Sequence, residues 1–172
     1  IFDVEELWTH GGSIRIHAGH ADQAPPESDR LSALRDEELR RGTETLEYYR
    51  DFAARIEQLR RDILSFLIGA RNDGKRVVGY GAPGKGNTLL NYCGIRSDLI
   101  EFTVDRNPYK HGRFTPGTHI PIHDPALLET EQVDYIFILP WNLTDEISGQ
   151  LAHLVARGTK LVRPVPQLTV LE

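Results

Sequence analysis

The 172-residue chain has no methionine and a single cysteine, Cys93. One cysteine excludes an internal disulfide, and without a second thiol beside it a structural zinc site is not expected. Long apolar runs are missing as well. No stretch approaches the ~20 residues of a membrane span, and the first residues lack a signal-peptide layout. Lys and Arg never run beyond adjacent pairs, there is no basic tail, and the formal charge is −5. A nucleic-acid binder that relies on a large positive field is therefore not expected. A cytoplasmic setting follows as the default expectation. Lacking Met, and opening on Ile1-Phe2-Asp3-Val4 in an alternation that already reads as a strand, the sequence is expected to be a domain excised from a longer protein.

What is present is ordinary for a globular protein: 40% apolar and 26% charged residues, enough for one domain with a core and a short extension. Residues 1–18 hold two strand-like runs, 1–5 and 13–17, around the turn Thr9-His10-Gly11-Gly12. Residues 19–73 form a linker and a helical segment. A first helix is predicted over 29–41, stopped by Gly42, and a longer one follows Thr43. Along the longer helix Tyr49, Phe52, Ile56, Leu59, Ile63 and Phe66 recur three and four apart, which suits a packed face or an assembly seam.

From residue 74 to 172 the pattern turns to alternating strands and helices. Strands are predicted at 77–80, 100–104, 135–139 and 160–163, with an edge strand at 167–171. Helices are predicted at 85–92 and 144–157, and an irregular stretch covers 107–125. This alternation implies an α/β, Rossmann-like, doubly wound and mainly parallel sheet, preceded by a β-hairpin and a long helix.

Gly79-Tyr80-Gly81-Ala82-Pro83-Gly84 is a formal GxGxxG between a strand and a helix. In that setting glycines let the backbone approach a phosphate, and the helix N-terminus offers free N–H groups. Asp105, at the end of the next strand, has the spacing of the acid that holds a ribose in NAD-binding domains. Pro83 inside the turn and Lys85-Gly86-Asn87 at the helix start depart from that fingerprint, and Lys85 is placed to meet a phosphate as a point charge. The plain alternative is a tight turn with a solvated lysine. A second cluster, residues 105–113, puts Lys110 and His111 at the carboxyl end of a strand. A third, Pro140-Trp141-Asn142, offers a ring for stacking and a polar group. Three histidines, 111, 119 and 123, have no geometry that argues for a metal. His10 and Ser13 lack a third group to make a triad.

These motifs in this order resemble the C-terminal domain of the three-domain, S-adenosylmethionine-dependent sugar C-methyltransferases. They are 9–15, 79–91, 105–112, 116–122 and 139–142. The resemblance implies that S-adenosylmethionine serves the full-length enzyme but is bound by a central domain, with no cofactor expected on this fragment. Residues 1–18 would be closing strands of that methyltransferase domain, and the fragment alone would be inactive. The implied ligand is a nucleotide-linked keto-deoxysugar. Gly81, Gly84, Lys85, Gly86 and Asn87 would face its diphosphate, and Asp105, Lys110, His111, Trp141 and Asn142 would be further contacts. No catalytic residue is assigned. An NAD-binding oxidoreductase domain and a non-catalytic assembly module stand as alternatives.

Overall fold

The computed structural model describes residues 1–171, with the side chain of His10 outside the described residues. The chain divides into two compact units, Ile1–Ile56 and Glu57–Glu172.

The first unit opens with an antiparallel hairpin, β1 (Asp3–Leu7) and β2 (Ser13–His17), in register from Asp3 opposite His17 to Leu7 opposite Ser13. The first strand lies two residues later than its alternation suggested. Ile1 and Phe2 lead in, and Phe2 ties down both sides through its N–H to His17 O and its carbonyl to Ser28 N–H. A short 3-10 turn, Thr9–Gly11, closes the hairpin, and Ser13 Oγ donates to Thr9 O at 2.9 Å. Helix α1 (Asp29–Arg41) starts where Ser28 Oγ accepts from Leu31 N–H and ends at Gly42 in the left-handed region, the limits its caps predict. Ser28 and Arg30 also hydrogen-bond Asp3, and together they hold its carboxyl below the usual range.

Helix α2 (Leu46–Asn72) is capped by Thr45 and not by Thr43: Tyr48 N–H donates to Thr45 Oγ1 at 3.4 Å, while the Thr43 hydroxyl goes to Glu38 O. The predicted stripe is buried only from Leu59 onward, and it continues through Ile63, Leu67 and Ala70. Phe66 stands edge-on to Tyr135 at 5.1 Å, whereas Tyr49 and Phe52 are exposed.

In the second unit, α2 leads into β3 (Val77–Tyr80), α3 (Gly84–Cys93), β4 (Thr103–Val104), β5 (Ile122–His123), α4 (Leu127–Thr130), β6 (Tyr135–Ile138), α5 (Thr144–Gln150), α6 (Ala152–Val155), β7 (Lys160–Arg163) and β8 (Thr169–Leu171). The sheet order is β5-β4-β3-β6-β7-β8, parallel except for β8 against β7. Counted from β3 this is 3-2-1-4-5-6, the doubly wound Rossmann arrangement. Both faces are covered, so successive strand residues serve different cores. Val77, Phe137 and Val162 join α2 and α3 on one side. Val78, Ile136 and Leu161 join α4, α5 and α6 on the other. That is why the strands read as unbroken apolar runs.

Three expectations shift. Strand β4 is shorter than 100–104, because Ile100 N–H bonds back to Arg96 O in a turn. The stretch 107–125 contains β5, which pairs with β4. The expected single helix 144–157 breaks at Leu151 into α5 and α6.

Candidate functional site

The order of the sheet reverses between β3 and β6, and open α/β sheets bind ligands beyond the carboxyl ends of the strands at such a point. Two segments meet there: the turn after β3 and Pro140-Trp141-Asn142 after β6. Their approach is close enough to dictate glycine. A Cβ on Gly81, which has φ +81°, would lie 2.7 Å from Pro140 Cδ, and one on Gly86 would lie 2.8 Å from Leu139 Cβ. Gly84 differs, since a Cβ there would meet nothing within 4 Å. The first turn of α3 is open to solvent on the side that Gly84 presents.

Pro83 caps α3 in an extended conformation, and the first intrahelical bond is Asn87 N–H to Pro83 O at 3.0 Å. The amides of Gly84, Lys85 and Gly86 precede that bond and point out of the helix N-terminus. Asn87 Nδ2 donates to Pro83 O, while its buried Oδ1 has no partner among the described residues. Lys85 Nζ donates to Asn142 Oδ1 and lies 4.7 Å from the Trp141 ring centroid, a cation–π arrangement. Burial lowers its pKa.

Asp105, Lys110 and His111 form a second knot, turned toward the protein. Asp105 Oδ2 accepts from Ala82 N–H (2.7 Å) and Lys110 Nζ (2.8 Å), and Oδ1 accepts from Asn107 N–H (2.8 Å). Lys110 Nζ also donates to Ala82 O at 3.1 Å. His111 Nε2 lies 2.6 Å from Asp105 O. Burial alone would raise the Asp105 carboxyl, but Lys110 and the two amides outweigh it and hold it below its ordinary value. The peptide of Ala82 is thus gripped on both sides, and the glycine turn is clamped to the end of β4. The loop beyond is pinned as well, with Asn91 Nδ2 donating to Pro116 O and Thr115 paired to Thr118.

Of the residues singled out from the sequence, the structure gathers Gly81, Gly84, Lys85, Gly86, Asn87, Trp141 and Asn142 where the ends of β3 and β6 meet. It places Asp105, Lys110 and His111 beside it as an internal brace. Sequence reasoning missed Ala82, whose role lies in its backbone, and Arg163, a cation ending the apolar strand β7 at the same carboxyl edge. A cavity of about 620 Å³ lies at the other, amino edge, lined by Gly74, Arg76, Asp134 and Thr159 among others. Its charges are already paired, Arg76 with Glu101 and Glu131 and Arg157 with Glu129. The described residues contain no group of three or more metal-ligating side chains. Nor is any described helix long and apolar enough to cross a membrane.

The family model of the C-methyltransferase C-terminal domain matches residues 8–166. The chain belongs to that family. Among curated relatives, C-methyltransferase NovU of Streptomyces niveus is 34% identical over 171 residues, covering 99% of this chain and 41% of that protein. This C-methyltransferase C-terminal domain therefore spans about two fifths of the length of the relative it matches. Among solved structures, UDP-D-quinovosamine 4-dehydrogenase from Vibrio fischeri is 17% identical, over 57% of this chain and 93% of that one, with a TM-score of 0.42. So loose a likeness carries no functional weight beside the strand order.

Proposed function

We propose that this domain holds the nucleoside-diphosphate part of a nucleotide-linked keto-deoxysugar for a C-methyltransferase. The observation that carries the reading is Lys85: a half-buried cation with no carboxylate partner among the described residues, at the N-terminus of α3 beside the free amides of Gly84 to Gly86. Such a group suits a phosphate oxyanion through charge and hydrogen bonding together. Trp141 offers its ring to the rest of the ligand. Fixing the nucleotide would hold the sugar's reacting carbon in place, and orientation of that kind supplies much of an enzymatic rate.

S-adenosylmethionine supplies the methyl group in this reading and does not fit this opening. The acid that would take its ribose hydroxyls, Asp105, is buried and already accepts three hydrogen bonds from the protein, from Ala82, Asn107 and Lys110. No methyl-transfer step therefore runs through these residues, and the fragment by itself is expected to be inactive. The same inward-held carboxylate weighs against the NAD reading. A preceding methyltransferase domain of the same protein is the proposed partner of the hairpin. The share of the relative left unmatched supports this, as do the exposed Trp8, Ile14 and Ile16 on a pair too small to be stable alone. The reading keeps the cytoplasmic setting.

Isothermal titration calorimetry with dTDP, dTDP-glucose and NAD tests the proposal. Binding of both dTDP compounds is expected, weakened by about 1–3 kcal/mol in Lys85→Ala. Tight NAD binding with no response to dTDP would overturn it.

A further inference from the structure

Four lysine or arginine side chains among the described residues are half-buried: Arg76, Lys85, Lys110 and Arg163. The other cations are exposed to solvent, where an unpaired charge costs little. Arg76 pairs with Glu101 and Glu131, and Lys110 pairs with Asp105. Lys85 and Arg163 alone meet no carboxylate among the described residues, and the Nε of Arg163 is buried with no hydrogen-bond partner there. No hydrogen bond or ion pair to a described residue takes up the Arg163 guanidinium, so its donors remain free for an acceptor that arrives from outside.

The position of Arg163 says where that acceptor would be. It is the last residue of β7, and β7 runs parallel beside β6 with Phe137 opposite Val162. Strand β6 ends in Pro140-Trp141-Asn142, which Lys85 touches from the β3 side. Lys85 and Arg163 therefore flank the end of β6 from its two neighbouring strands, which stand roughly 10 Å apart across two inter-strand spacings. On the β4 side the way is taken by the brace of Asp105, Lys110 and Ala82, so the direction left to a ligand anchored at Lys85 is across β6 toward β7.

Resting on the reading of Lys85 as the diphosphate contact, we propose that Arg163 is a second ligand-binding residue whose guanidinium donates to oxygens of the hexosyl group carried by the diphosphate. The site then recognises a nucleoside-diphosphate sugar at two separated points. A nucleoside diphosphate without the sugar reaches only the first.

The test compares dTDP with dTDP-glucose. In wild-type protein, NMR titration is expected to shift the Gly84–Gly86 amides with both compounds and the Arg163 Nε–H signal with dTDP-glucose alone. In calorimetry, Arg163→Gln is expected to weaken dTDP-glucose about ten- to hundredfold and to leave dTDP within about threefold. Arg163→Lys, which keeps the charge but loses the planar fork, is expected to fall between, with cooperative thermal unfolding of each variant as the check on folding. Moving amides with a silent Arg163 signal, or equal loss of both compounds in Arg163→Gln, would overturn the assignment while leaving the Lys85 reading in place. Silent amides with either compound would remove the Lys85 reading, and this proposal with it.

Discussion

Arg76 and Lys85 stand at opposite ends of β3, and their surroundings differ in kind. Arg76, at the amino end, is bonded by Glu101, Glu131 and the carbonyl of Gln132. Hydrogen bonds donated to Glu101 and then to Glu131 lift its pKa further above an already high value. Lys85, at the carboxyl end, has an amide oxygen and an aromatic ring, and burial pulls its pKa down. One edge of the sheet satisfies its own charges, while the other leaves a cation unsatisfied. The contrast is one of charge: the first edge pairs its cation internally, and the second leaves its cation open to an outside partner.

The unsatisfied edge is not a loose one, and the largest expected effect tests that. Gly81→Ala would put a Cβ against Pro140 in a backbone with φ +81°, so the loss of stability in urea unfolding is expected to be about 2–4 kcal/mol. Gly84→Ala, facing open space at the helix start, is the control and should leave stability nearly unchanged. Equal effects at the two positions would break the picture of a rigid but open carboxyl edge. Next in size is the amino edge. Arg76→Met should cost about 1–2 kcal/mol, toward the low end for a broken ion-pair network because its side chains keep about a third of their exposure. Affinity for dTDP should not change. A drop in affinity would mean that the two edges are coupled.

Legibility in the sequence followed how local each feature is. Helix α1 was legible over 29–41 with Gly42 as its stop, and β3, β6 and β7, to within one residue, from the apolar runs that both sheet faces require. Strand β5 was not legible, because two residues between Pro121 and Asp124-Pro125 become a strand only by pairing with β4. The glycine turn, Lys85 and Trp141 could be read because each sits where a strand gives way to a helix. The direction of Asp105 could not. Its spacing fits a ribose acid, but which way the carboxylate faces depends on β3 and β4 being neighbours and on Lys110 folding back. Arg163 left a visible trace, a cation ending an apolar run, whose meaning depends on β7 lying beside β6.

The smallest expected effect separates the two cations most sharply, because it has the opposite sign. Removing Arg76 destabilises; Lys85→Met should leave stability unchanged or raise it by a few tenths of a kcal/mol, since it deletes a half-buried charge with no counter-ion. The pH dependence follows from the same cause. A lysine whose folded pKa lies below its unfolded value binds more protons when unfolded, so stability rises with pH between the two values. Relative to Lys85→Met, urea midpoints of the wild type should therefore drift upward across the alkaline range below the ordinary lysine pKa; the opposing trend of Cys93 and Tyr80, whose burial raises their pKa values, is common to both proteins and drops out of the comparison. Saturating dTDP should suppress it, because a bound oxyanion favours the charged form. If wild type and Lys85→Met show the same pH dependence, Lys85 carries none of it, and the contrast between the ends of β3 loses its electrostatic basis.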